Sequence, residues 1–288
     1  MKVMAGVEHI KGTQVNIKVE PLGLVHTIDK IADHKVDKKY SITDVDLYKD
    51  GCILVSSLSN ELLKFNQSGE FVANIQLAHN VRVNKMYTMV NGCIMYSDTE
   101  GKRVVMCNDK LEEISQFGKG ILKHPSGLTV NNEKRVMHVA DFIDHCVFKF
   151  DIDDGRKLGE IGFEDGELYY SRDVSLTKEG NLLVTDWDNH RIPMFDANGT
   201  FAKTFVSEGE QDGKVRYPCA IEMDRDDNII VASENKVQLF DENGVFIKRI
   251  DGINDGINSP CGISVISNRP RRVAIANGGK NNVKIFNY

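Results

Sequence analysis

No stretch of this chain approaches the roughly 18 consecutive apolar residues that a membrane-spanning helix needs. No basic-then-apolar leader opens it, so a cytoplasmic protein with no membrane contact is expected. The six cysteines include no C-x-x-C pair, which argues against a zinc ribbon. Cys52 and Cys93 each stand between Gly and Ile, and Cys219 and Cys261 each follow Pro. Such equivalent repeat positions are held apart by the repeat itself, so reduced thiols are expected. The histidines are not at metal-ligand spacing, and no metal is expected. No nucleophile elbow, phosphate loop or dinucleotide fingerprint leads from a strand into a helix, so neither a cofactor nor catalysis is expected. Excess positive charge is also missing. A net charge of −6 speaks against a uniformly basic nucleic-acid binder, but leaves room for a local basic face.

What is present is a repeat. An apolar strand, a polar turn and a second apolar strand ending in an aromatic are followed by Asp or Asn and a Gly turn. The phrase reads Leu62-Leu63-Lys64-Phe65-Asn66, Val104-Val105-Met106-Cys107-Asn108 and Val147-Phe148-Lys149-Phe150-Asp151. It returns as Ile192-Pro193-Met194-Phe195-Asp196, Val237-Gln238-Leu239-Phe240-Asp241 and Val283-Lys284-Ile285-Phe286-Asn287. The copies are spaced 42 to 46 residues apart, the length of a four-stranded propeller blade. Within the fourth copy, turns at 178–180, 188–190 and 197–199 divide the chain into four short strands, with no helical period in competition. The expected fold is all-β: a six-bladed propeller over residues 22–288, preceded by a linker over 1–21. The last copy stops after its third strand, whereas Gly23 to Asp29 forms an orphan strand at the start. Pairing that strand with the last blade closes the ring and removes an exposed sheet edge.

His124-Pro125-Ser126-Gly127-Leu128, with Val139-Ala140-Asp141 after it, resembles an NHL repeat. So does Val184-Thr185-Asp186-Trp187-Asp188-Asn189-His190-Arg191-Ile192, and the opening recurs at Tyr217-Pro218-Cys219-Ala220 and Ser259-Pro260-Cys261-Gly262. The resemblance is strong in the third to sixth copies and weak in the first two. It departs at Pro193, which withholds a ladder donor and implies an irregular third strand. Six-bladed NHL propellers commonly end tripartite-motif proteins, some of which bind single-stranded RNA on one face and repress messages. The resemblance therefore implies a non-catalytic domain that recognises single-stranded, uridine-rich RNA in post-transcriptional and microRNA-linked silencing, with partners from a repression complex. The alternative it implies is a protein-interaction module recruiting substrates to a ubiquitin ligase whose catalytic part lies elsewhere. The isolated propeller is expected to be a monomer.

Antiparallel blades put the loops before first strands on the same face as the loops between second and third strands. The first set supplies His124, Tyr170, Arg172, Arg216 and Tyr217. The second supplies Lys102, Arg103, Phe142, His145, Trp187, His190, Asn235, Lys236, Lys280 and Asn281. Rings can stack unpaired bases, amides can read base edges and cations can meet phosphates. Tyr217 and His124 also sit where repeats pack between blades, and the recurrence of Asp141 and Asp186 points to a hydrogen bond inside the blade. Arg191 belongs to the repeat pattern and is expected to be structural. Trp187, the only tryptophan, lies in a loop with no core role required. The channel-facing positions of the first strands read as mainly apolar or small.

Overall fold

A computed structural model describes residues 22–29, 42–162 and 167–288. The linker expected over 1–21 lies outside the described residues. Strand β1 (Gly23–Ile28) is followed by blade one: β2 (Ile42–Leu47), β3 (Ile53–Ser57), β4 (Glu61–Phe65) and β5 (Phe71–Gln76). Blade two is β6 (Val83–Thr88), β7 (Ile94–Asp98), β8 (Arg103–Cys107) and β9 (Glu113–Phe117). Blade three is β10 (Pro125–Asn131), β11 (Val136–Asp141), β12 (Cys146–Asp151) and β13 (Lys157–Ile161). Blade four is β14 (Ser171–Leu176), β15 (Leu182–Asp186), β16 (Ile192–Phe195) and β17 (Phe201–Val206). Blade five is β18 (Pro218–Met223), β19 (Ile229–Ser233), β20 (Lys236–Phe240) and β21 (Phe246–Arg249). Blade six is β22 (Pro260–Asn268), β23 (Arg271–Asn277) and β24 (Asn282–Asn287), with β1 as its fourth strand. β1 runs antiparallel to β24, from Gly23 opposite Asn287 to Ile28 opposite Val283, which closes the ring as the sequence predicts.

The repeated phrase has a local cause at each step. The Asn or Asp after the third strand turns its side-chain oxygen onto the next hairpin. Asn66 Oδ1 accepts from the Ser68 and Glu70 amides, and Asp196 and Asp241 do the same two and four residues on. The glycine that completes the turn is left-handed, for example Gly69 at φ 80°. The aromatic before it is the core. Phe65, Phe150, Phe195, Phe240 and Phe286 are fully buried, and Phe65, Phe195 and Phe240 each meet an outer-strand ring edge-on at 5.8–6.0 Å. Burial on this scale stabilises by about 2–3 kcal/mol per ring. Cys107 fills the slot in blade two. Apolar clusters bridge neighbouring blades, as where Ile42 and Phe65 pack with Ala276 and Ile285. Pro193 has the predicted effect: the β15–β16 ladder is reduced to two regular pairs, and the register with β17 slips beside it.

Every first strand carries a register shift at its loop-side end, between Ile42 and Asp44 in blade one and between Ser171 and Val174 in blade four. The other four blades shift at the same place. Such bulges re-aim side chains, and here they turn polar ones toward the channel. This corrects the expectation of an apolar or small lining. Lys85 Nζ donates to Asp173 at 3.0 Å and lies 3.5 Å from Asp44, joining blades one, two and four. The same carboxylates accept backbone amides from the next blade, Met86 for Asp44 and Ile221 for Asp173.

Candidate nucleic-acid interface

On the loop face, blades three to five bring nine of the predicted residues into one arc. His124 and Phe142 have ring centres 5.7 Å apart, Phe142 and Tyr170 4.6 Å, and Trp187 and Tyr217 4.9 Å. The Arg172 guanidinium lies 5.1 Å from the centre of the Phe142 ring and 4.8 Å from that of Trp187. Its buried Nε has no hydrogen-bond partner among the described residues. A cation held between two rings and spared an acidic partner keeps its charge for a ligand. Arg216 lies 5.8 Å over Tyr217 but spends one guanidinium nitrogen on Glu210 at 2.8 Å.

His145 and His190 each hold the backbone of the neighbouring blade's loop. His145 Nδ1 accepts the Tyr170 amide of the next blade at 3.0 Å. His190 Nδ1 accepts the Tyr217 amide of the next loop at 3.3 Å, which ties the two loops together. His145, His190, Tyr170 and Tyr217 all have left-handed backbones, with φ between 46° and 57°. That strain is held in place by the interblade contacts. The loop histidines thus position the tyrosines, and their own rings pack against them. Asn281 plays the same part in blade six, its Oδ1 accepting the Ile42 amide at 2.9 Å.

The remaining predicted residues stay outside the arc. Lys236 is buried, and its ammonium donates to the Glu210 and Gln211 carbonyls at 2.8 and 2.9 Å. It acts as a clamp on that loop. Arg103 is likewise occupied by Asp98 at 3.2 Å and Gln116 at 2.8 Å. Lys102, Asn235 and Lys280 are exposed on the same face but belong to blades two, five and six. Asp141 and Asp186 cap loop amides, and Arg191 pairs with Asp186 at 2.7 Å, as their recurrence suggested. Tyr169, which the sequence reading passed over, stacks on His145 at 4.6 Å. Its signal was its place beside Tyr170 in the same loop.

Inside the arc the channel opens as a cavity of about 600 Å³ lined by Arg82, Lys85, Arg172 and His124, with no acidic residue among the described residues. The opposite mouth, about 930 Å³, is lined by Asp44, Asp46, Asp173, Glu222, Asp224 and Asp227, among others. Burial pushes the Asp44 carboxyl up to about 7, even with Lys85 beside it. Burial and neighbouring carboxylates raise Glu222 well above the usual range. The two mouths thus differ in their lining: carboxylates gather at the far mouth beside Lys85, Lys178 and Arg225, whereas the loop-side mouth is lined by Arg82, Lys85 and Arg172. Among the described residues, no three His, Cys, Asp or Glu side chains are arranged to hold a metal ion, and no helix is long and apolar enough to cross a membrane.

No family model matches the chain. Over 128 residues it is 26% identical to the protein brain tumor of Drosophila melanogaster, covering 43% of this chain and 11% of that protein. Over 227 residues it is 24% identical to a probable peptidyl-alpha-hydroxyglycine alpha-amidating lyase of Caenorhabditis elegans, covering 74% of this chain and 59% of that one. The chain thus spans less than two thirds of either relative. Among solved structures, a streptogramin B lyase superposes with a TM-score of 0.65 at 13% identity, over 91% of this chain and 86% of the other. A Bacteroides thetaiotaomicron protein of unknown function gives 0.69 at 10% identity, over 86% and 69%. Identities this low carry the fold and leave the chemistry open. Together with the repeats, they support an NHL-type six-bladed propeller.

Proposed function

We propose that the loop face binds single-stranded, uridine-rich RNA, and that the chain is the propeller of a tripartite-motif NHL protein acting in message repression. One observation carries the reading: an unpaired arginine sandwiched between Phe142 and Trp187, within an arc of rings that spans three blades. Rings at this spacing stack bases at about 1–3 kcal/mol each, and a free guanidinium engages phosphate. Anisotropy with short fluorescent RNAs at two salt concentrations tests it. Tyr217→Ala combined with Arg172→Glu should weaken binding at least tenfold, roughly the loss of one stacked base and one charge contact. RNA binding that ignores both substitutions, or no binding even at low salt, removes the proposal.

A second reading draws on the acidic mouth, which suits a cationic segment of a partner protein brought to a ubiquitin ligase. Crosslinking at Asp227 rather than at the arc would favour it. Two of the likenesses carry lyase names, whereas the proposal leaves the chain non-catalytic. Turnover of a peptidyl-α-hydroxyglycine by the purified chain would replace binding with catalysis.

A further inference from the structure

The loop-side mouth of the channel is a chamber below the arc, which shares His124, Phe142 and Arg172 with it. Its wall includes the second residue of each first strand: Thr43, Asn84, Ser126, Arg172, Cys219 and Cys261. Lys85 lines both this cavity and the one on the opposite face, and its ion pairs with Asp44 and Asp173 lie between them. The ion-paired Lys85 therefore stands at the floor of this chamber, between the two mouths. A volume of about 600 Å³ falls within the range of pockets that enclose one small molecule. The lining offers a hydroxyl from Ser126 and an amide from Asn84, whose Nδ2 lies 3.3 Å from that hydroxyl, with thiols on the far side. Among the described residues its lining holds Arg82, Lys85 and Arg172 and no carboxylate. Arg82 lies against Glu100 and Lys85 is paired with Asp44 and Asp173, so Arg172 is the lining cation with no ion-pair partner among the described residues.

We infer that this chamber seats one nucleoside monophosphate unit, with its phosphate on Arg172 and its base and sugar against Asn84 and Ser126. The choice of a nucleotide rests on reading this face as an RNA-binding surface. A terminal phosphate carries −1.5 to −2 charges near neutral pH, about twice a bridging diester, so the Arg172 guanidinium prefers a strand end to a strand interior. The unit has two sources, a free nucleotide or the 5′-phosphorylated end of an RNA.

The test compares a short uridine-rich RNA with and without a 5′-phosphate, and titrates uridine monophosphate alone. Trp187 is the reporter, being the only tryptophan and stacked on Arg172. The phosphorylated RNA should bind about fivefold tighter or more, and uridine monophosphate should change Trp187 emission and compete with the RNA. Asn84→Leu should remove both effects and spare the 5′-hydroxyl RNA. A response to the free nucleotide without end preference assigns the chamber to the nucleotide; the converse assigns it to strand ends. Equal affinity for the two RNAs, with Trp187 silent to the nucleotide, overturns the chamber. This comparison needs no variant. If 5′-hydroxyl RNA still binds through Tyr217 in that case, the RNA reading survives. Loss of all RNA binding while the nucleotide still acts has the opposite meaning.

Discussion

Arg172 and Lys236 look alike in sequence, each a cation beside a loop with an aromatic or an amide, but burial separates their roles. Lys236 has its ammonium under the Glu210–Gln211 turn, where two carbonyls replace water. Lys236→Ala should lower stability by about 1.5–3 kcal/mol, the range for hydrogen bonds to a charged group, and leave RNA affinity unchanged. A melt unaffected by the substitution, or an affinity that falls with it, contradicts the clamp. Asp44 shows the other consequence of burial. Its carboxyl is held at about 7, while in the unfolded chain an aspartate titrates near 4. Between those values the folded protein keeps a proton that the unfolded chain releases, so this group's contribution to stability is present below about pH 4 and is lost as pH rises through 7. Asp46 and Glu222 are shifted the same way. Asp50, Asp109, Asp153 and Asp196 are held low by their partners and titrate below this window. His138, pushed down to about 4 by burial, opposes this fall between pH 5 and its unfolded value near 6.5. The melting temperature should therefore drop from about pH 6.5 to pH 8, and Asp44→Asn should flatten part of that slope. A flat wild-type profile across this range contradicts the assignment.

Between neighbouring elements, the repeat's glycine is a matter of space. Gly127 of β10 lies against Asp173 of β14, and a Cβ there would overlap the carboxylate and Cα of that residue. Gly262 stands in the same relation to Asp44. Gly127→Ala should cost about 3 kcal/mol, at the upper end for overpacking, because backbone rather than a mobile side-chain tip must give way. Equilibrium denaturation measures it, and a loss below half that size would mean that β14 yields. These contacts also mark what the sequence could show. Phe195, Asp196 and Gly199 act within a single hairpin, so their spacing was enough to read strands, turns and core. The β1–β24 closure was legible from a missing strand at one end and a spare one at the other. The channel lining was not, because the bulge at the head of each first strand shifts the in–out alternation that a reader counts along. Asp44, Lys85 and Asp173 thus face inward against the pattern. The arc was legible as a list of loop residues on one face. That His145 and His190 turn sideways into the next blade depends on left-handed backbone, which has no signature in a non-glycine residue.

For the molecule as a whole, charge placement decides how any RNA would be held. The ring is closed and its blades are tied by Lys85, so the loop face is a fixed surface that reorganises little on binding. Of the cations around its mouth, Arg82 lies 3.5 Å from Glu100, Arg216 pairs with Glu210 at 2.8 Å and Lys123 pairs with Asp144. Arg172, Lys102 and Lys280 have no ion-pair partner among the described residues, and the last two are exposed. Binding to a single strand releases counterions with a slope of about −0.7 per phosphate neutralised. Three such cations set the slope of log K against log salt at about −2 or shallower. Affinity should therefore survive a rise in salt that would strip a basic groove, while substitutions in the rings remove it. The acidic lower mouth reinforces this by repelling any strand that strays from the arc. Anisotropy titrations across a salt series give the slope directly. A value near −5 would mean that the RNA lies on a broader cationic surface than these three residues provide, and the stacking arc would lose its place as the main source of affinity.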